Sequence, residues 1–306
     1  MHSELAEMPV TPTRNDSRVA IVCESTCCLP AELVARYGIG IIPVPFSFGT
    51  ESFLDGVDMT AEELYARLEA THQLPRTSPP APGAYVQACS DAAETASAVV
   101  VVTVSAAIST FQRSARLAAE LAPEALPNTP ITVVDSGSAG MGQGFVALAA
   151  ARAAASTASM QSVVHAAEQV RQRIRLVVTL DTLEYLARAS RIPQVASMVS
   201  GLLAIKPMIE LANGEIRPLA RVRTRRRALE ALFDVLQQAI PVGGRVHAAV
   251  QHVQAPEEAS RFAERLQATF NCVELLTTPF TPVMGSYCGP GLIGVAWYVD
   301  EDEADN

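Results

Sequence analysis

The sequence predicts an α/β protein of two domains: an amino-terminal three-layer α/β/α unit on a parallel sheet, then a carboxy-terminal α/β unit on a mixed sheet. Three observations carry that reading. The 306 residues exceed one ordinary domain of roughly 100–200 residues. The first half alternates apolar strand-length runs with helical segments, as parallel sheets require. The second half contains a hairpin, which requires antiparallel pairing. The expected division is 18–165 and 166–300, with a flexible tail over 1–17 and an acidic tail over 301–306.

VAIVC (19–23) is a continuous apolar strand, followed by the polar turn ESTCC and a short helix opened by Pro30 and stopped by Gly38. IGIIPVPFSF (39–48) reads as the next strand, TAEELYARLEA (60–70) as helix and AVVVVTV (98–104) as strand. ISTFQRSARLAAEL (108–121) and PITVVD (130–135) repeat the alternation. SGSAGMGQGFVALAAARAAA then forms a Gly- and Ala-rich helix with little charge, suited to close packing, and a second helix covers 159–172. From Ile174 the pattern changes. A strand and helices lead to IKPMIEL (205–211) and EIRPLARV (215–222), which flank Ala212-Asn213-Gly214, a tight turn with Asn-Gly where positive φ is wanted. An amphipathic helix (223–240), a strand (245–253), a helix (255–270) and strands at 272–279 and 291–299 complete the second unit.

Hydrophobic residues are 49% and charged ones 18%, with mean hydropathy +0.21, which excludes a disordered chain. Aromatics are only 5%, so the cores are aliphatic. A net charge of −9 repels phosphate backbones, and nucleic acid is not an expected partner. The first sixteen residues lack the apolar segment of a secretory signal, and no apolar run reaches the roughly 18 residues of a membrane helix. The expected location is the cytoplasm, with the six scattered cysteines reduced and mostly buried.

The Cys23–Cys28 cluster lacks paired metal-ligand spacing and a nearby His, and no His pair has metalloprotease spacing, so no metal is expected. The glycines over 137–144 follow a strand but lack both the G-x-G-x-x-G order and a Walker lysine; tight helix packing explains them better than a cofactor loop. Two polar spots stand out. Thr77-Ser78-Pro79-Pro80 either caps a helix or presents two hydroxyls from a proline-fixed loop. Ser105 to Gln112 follows the carboxyl end of AVVVVTV, where open parallel sheets bind ligands and a helix amino terminus favours an anion. Hydroxyls beside a helix start suit a carboxylate.

Seven segments, in order, resemble the DegV family, the fatty-acid-binding subunits of bacterial fatty acid kinase. They are IVCESTCCLP, RTSPPAPGAY, SAAISTFQ, VVDSGSAGMGQG, LEYLARASRI, KPMIEL with GEIRP and RVRTRRRAL, and GSYCGPGLIG, spanning Val19 to Tyr298. The resemblance implies a ligand tunnel between two α/β domains, holding one long-chain fatty acid and no other cofactor. By matched position, Thr77 and Ser109 contact the carboxylate, Ser25, Ser78 and Ser136 are neighbouring polar groups, and Arg223 is the supporting cation. Tyr287 stands where the family usually has a head-group His, Glu24 replaces Asp, Ala189-Ser190 replace a Gly pair, and no Gly separates Ser109 from Thr110. Head-group handling is therefore expected to differ.

On this resemblance the protein is a non-enzymatic carrier that presents a fatty-acid carboxylate to a separate fatty acid kinase protein, with transient membrane contact during lipid exchange. Some fifteen methylenes at about 0.8 kcal/mol each supply roughly 12 kcal/mol gross, against about 1.5–3 kcal/mol for a charged hydrogen bond. The tail would set affinity and the hydroxyls orientation. The RTRRRA run either docks the kinase or is a solvated helix face. Two alternatives remain open: a carrier of a different apolar acid or lipid, and a Ser-dependent lipid or acyl-phosphate hydrolase using Ser109 or Ser25 with Asp135.

Overall fold

The computed structural model describes residues 15–71, 73–156, 159–189 and 205–301. The tail expected over 1–17 lies outside them as far as residue 14, as do the last five residues and the end of LEYLARASRI. Strand β1 (Asn15–Glu24) begins the described chain and is bulged between Asn15 and Val19.

The first sheet has the order β2 (Gly40–Ile42), β1, β6 (Ala96–Thr103), β7 (Ile131–Asp135), with every pair parallel. Side chains alternate across it. Val22, Val99 and Val101 face α3 (Pro82–Ala93) and α4 (Phe111–Leu121) on one side. Ile21, Cys23, Val100 and Val102 face α5 (Met141–Ser156) on the other. This is the expected three-layer unit. Helix α1 (Ala31–Tyr37) ends on Gly38 at φ +62°, where the left-handed conformation suits glycine.

One expected strand is two. IGIIPVPFSF divides into β2 and β3 (Pro45–Phe48), because Pro43 and Pro45 each remove an amide that a continuous ladder needs. β3 leaves the parallel sheet and pairs antiparallel with β4 (Glu51–Leu54) and with the two-residue β5 (Arg76–Thr77), forming a separate small sheet under α2 (Ala61–Thr71).

The second large sheet has the order β10 (Glu215–Val222), β9 (Lys206–Ala212), β8 (Arg175–Thr179), β13 (Ile293–Val299), β11 (Arg245–His252), β12 (Asn271–Pro279). It is mixed, as expected. Only β11 and β12 are parallel. The β9–β10 turn carries Asn213 at φ +53° and Gly214 at φ +73°, the conformation anticipated from the Asn-Gly pair. Helices α8 (Arg225–Ala239) and α9 (Pro256–Thr269) cover one face, burying Leu232, Phe233, Leu236, Phe262 and Leu266 against Val177, Met208, Val250 and Trp297. The short α7 (Glu184–Ala189) and α10 (Pro282–Cys288) stand beside the sheet.

Helices α5 and α6 (Met160–Arg173) form the layer between the two large sheets. Phe145 meets the Tyr298 ring edge-on at 5.5 Å, and one core runs from Val100 through Leu148 and Val163 to Leu176 and Ala296. A helix pressed from both sides must be largely apolar all round, which explains the small, glycine-rich residues of α5; its one charged side chain, Arg152, is paired with Glu274. A β-carbon on Gly144 would lie 2.8 Å from the Cys27 carbonyl oxygen, and one on Gly142 would lie 2.0 Å from Ser138 Oγ. The glycines at these positions serve packing.

Candidate functional site

A cavity of about 130 Å³ opens where the carboxyl ends of the parallel strands meet the face of β8, β9 and β10 that points away from α8. That is about ten times the space one water needs. The second sheet supplies an aliphatic wall by alternation. Leu176, Val178 and Leu180 point into the cavity while Val177 points to α8. Register aligns the wall in rows: Leu176 pairs with Leu211 and Leu211 with Ile216, and Val178 pairs with Ile209. The first unit contributes Val104, Ile108, Phe111 and Ala139, and α10 contributes Val283 and Met284.

Among the described residues, four that bear hydroxyls line the cavity: Thr26, Thr77, Ser109 and Tyr287. Thr77 and Tyr287 come from opposite ends of the chain, and their hydroxyls are hydrogen-bonded to each other. Thr77 is fixed by pairing with Phe46 across β5 and β3, so the alternative of helix capping fails: α3 begins after Ala81 and has no side-chain cap. Ser109 precedes α4, its Oγ accepting the Phe111 amide at 3.1 Å. Thr26 donates to Gln143 Oε1 at 2.8 Å.

Of the other residues singled out from sequence, Ser78 is exposed, with its amide on the Pro45 carbonyl at 3.1 Å. Ser25 is buried behind the cavity wall and donates to Asp55 Oδ2 at 2.7 Å. Ser136 closes a turn after β7, its Oγ accepting the Ser138 amide at 3.2 Å and donating to the Ser138 carbonyl at 3.1 Å. Arg223 is exposed between β10 and α8. These four are absent from the cavity lining. The hydrolase alternative finds no support in these positions. Asp135 accepts the Ala106 amide at 3.2 Å and the Gly137 amide at 2.9 Å, and among the described residues no His or carboxylate hydrogen-bonds the Ser109 hydroxyl.

Two buried carboxylates stand behind the hydroxyls. Glu24 accepts Tyr85 Oη at 2.6 Å, Gln143 Nε2 at 2.7 Å and the Val104 amide at 3.1 Å. Burial pushes its carboxyl up to about 7, against the lowering pull of those three donors. Because Gln143 also holds Thr26, this chain of bonds ends at the cavity. Burial likewise raises the Asp55 carboxyl, opposed by Ser25 and the Val283 amide. Thr26 and Asp55 are functional candidates that the sequence does not mark; the nearest signal is the ESTCC turn at the carboxyl end of β1, in which Ser25 and Thr26 both bear hydroxyls. Among the described residues, no group of three or more His, Cys, Asp or Glu is placed to hold a metal, and no helix is long and apolar enough to cross a membrane.

The sequence model of an uncharacterised protein family, DegV, matches residues 18–300. The chain belongs to the DegV family. A DegV domain-containing protein of Streptomyces coelicolor is 34% identical over 279 residues, spanning 90% of this chain and 97% of that protein. Among solved structures, a DegV family protein from Thermus thermophilus, described for its fatty acid binding, superposes with a TM-score of 0.85 at 25% identity, covering 92% of this chain and all of that one, 100%. Bacillus subtilis DegV, described as a fatty acid binding protein, gives 0.83 at 27% identity over 92% and 99% of the two chains. The chain thus shares its two-sheet architecture with these solved DegV structures. Tyr287 lines the cavity wall and brings a hydroxyl to Thr77.

Proposed function

We propose that this chain is a non-enzymatic carrier that binds one long-chain fatty acid in the cavity and presents its carboxylate to a separate kinase for phosphorylation. The observation that carries the reading is an aliphatic cavity ending in hydroxyls from Thr77, Ser109 and Tyr287. Apolar walls favour an acyl chain by about 0.8 kcal/mol per methylene, while a hydroxyl adds about 0.5–1.5 kcal/mol and fixes direction. The two solved relatives described as fatty acid binding proteins support the same ligand class. The kinase brings nucleotide and magnesium, so the protein itself needs only to hold and expose the acid. On this reading it works in the cytoplasm, with brief membrane contact when lipid is exchanged.

Organic extraction of the purified protein, followed by mass spectrometry, tests the first half. One fatty acid per chain is expected; a different apolar acid would redirect the ligand, and no lipid together with no uptake of added oleate by stripped protein would sink the reading. The second half is tested by adding a fatty acid kinase and ATP to the loaded protein and trapping acyl phosphate with hydroxylamine. Product is expected only with both proteins present. Product from the carrier alone would restore the enzyme alternative.

A further inference from the structure

Asp55 joins three elements that each lead to a hydroxyl-bearing residue of the cavity lining. It follows β4 and is 2% exposed. Its Oδ2 accepts the Ser25 hydroxyl at 2.7 Å, and its Oδ1 accepts the Val283 amide at 2.9 Å. A third link closes a ring: the Asp55 amide donates to the Val44 carbonyl at 3.0 Å, and the Val44 amide donates to Ser25 Oγ at 3.2 Å.

Each end of this ring leads into the cavity. Ser25 is followed directly by Thr26. Val44 leads into β3, whose Phe46 pairs with Thr77. Val283 lies in the first turn of α10, which carries Tyr287 and whose cap residue Thr281 makes no side-chain cap bond. The opening amides of a helix lack intrahelical partners; here Asp55, far away in sequence, supplies one. A carboxylate is an acceptor only, and both contacts are donors, so its chemistry matches the position. Asp55 itself is absent from the cavity lining.

We propose that Asp55 is the positioning residue of the head-group end: its paired hydrogen bonds to Ser25 and Val283 hold α10 in the place that sets Tyr287 against Thr77, and thereby govern how tightly a ligand carboxyl is gripped. This rests on the fatty-acid reading. Asp55→Asn preserves shape and one acceptor but removes the charge; Ser25→Ala removes one of the two bonds and gives a second variant if the first folds poorly, as judged by circular dichroism melting.

The experiment compares affinities of stripped protein for oleic acid and oleyl alcohol, which share a tail and differ in head group. In either variant the acid should weaken at least fivefold and the alcohol less than twofold, and Tyr287→Phe added to the variant should cost no more. Equal weakening for both ligands would show a merely structural role and overturn the proposal, as would strictly additive effects with Tyr287→Phe. Wild-type protein that binds neither ligand would overturn the fatty-acid reading and the proposal together, an outcome distinct from wild-type binding with unaffected variants, which overturns the proposal alone.

Discussion

The two ends of the cavity are built on opposite principles. The far wall is made by regular strand register: Leu176, Leu211 and Ile216 stand in one row because β8, β9 and β10 pair there, and any aliphatic side chain of similar volume would serve. The hydroxyl end is made by long-range contacts among irregular pieces, a 3₁₀ turn (Ser25–Cys27), a two-residue strand and the seven-residue α10. The first end is tolerant and energetically large. The second is specific and energetically small, since each hydroxyl contributes a bond whose net value is about 1 kcal/mol.

The largest test of that contrast is to shorten the wall. Tyr287 stands on α10, which packs on α7, while Leu211 lies in the row about 13 Å further along β8 than Leu180, at roughly 3.3 Å per residue. Leu211→Trp should remove room for about three methylenes, costing about 2–3 kcal/mol or roughly fiftyfold in affinity for an eighteen-carbon acid. A twelve-carbon acid should be much less affected, as read by calorimetric titration. Equal losses for both lengths would mean that this row does not bound the chain.

Of comparable size is the effect of the carboxylate behind the hydroxyls. Glu24 is raised in the folded protein from its ordinary 4.5 to about 7, so the unfolded chain gives up its proton first as pH rises. Between about 4.5 and 7 the folded state therefore binds more protons, and stability falls with rising pH, by about 3 kcal/mol across the window from this group. Glu24→Gln should remove that component of the slope in urea melts taken from pH 4.5 to 8. An unchanged slope would assign it to other groups.

The smallest effects separate the residues the cavity collects from those it does not. Thr77→Val should weaken fatty-acid retention roughly fivefold, about 1 kcal/mol, with little change in melting temperature. Arg223→Ala should change folding stability by no more than about 0.5 kcal/mol and leave retention within twofold, because the side chain is exposed outside the cavity wall. If the order is reversed, the hydroxyl end is not where the carboxyl sits.

The same contrast explains what the sequence made legible. Long periodic segments and the Asn213-Gly214 turn carry local signals, so both sheets, the hairpin and the packed glycines of α5 could be read directly. Thr77 and Ser109 stand out because proline-fixed loops and strand ends are chemically marked, and both line the cavity. The small sheet was not: β5 is two residues long and has no periodicity, and Pro43 and Pro45 signal a break without saying where the chain goes next. Nor was Asp55, whose contact with the Val283 amide spans 228 positions. Which of Ser25 and Thr26 faces the cavity is hidden in the sequence for a related reason. In a single 3₁₀ turn adjacent side chains point in different directions, and only the surrounding packing shows which one faces a cavity.

The α5–α6 layer has one further consequence. Because it is the inner slab between the two sheets, the largest apolar core belongs to neither half alone, and α6 continues from Met160 to Arg173 across the division that length and composition suggest. Separating the halves would strip an aliphatic face from one sheet or the other. The protein is two domains in outline and is expected to melt as a single cooperative unit, with the cavity at the seam beside the shared slab.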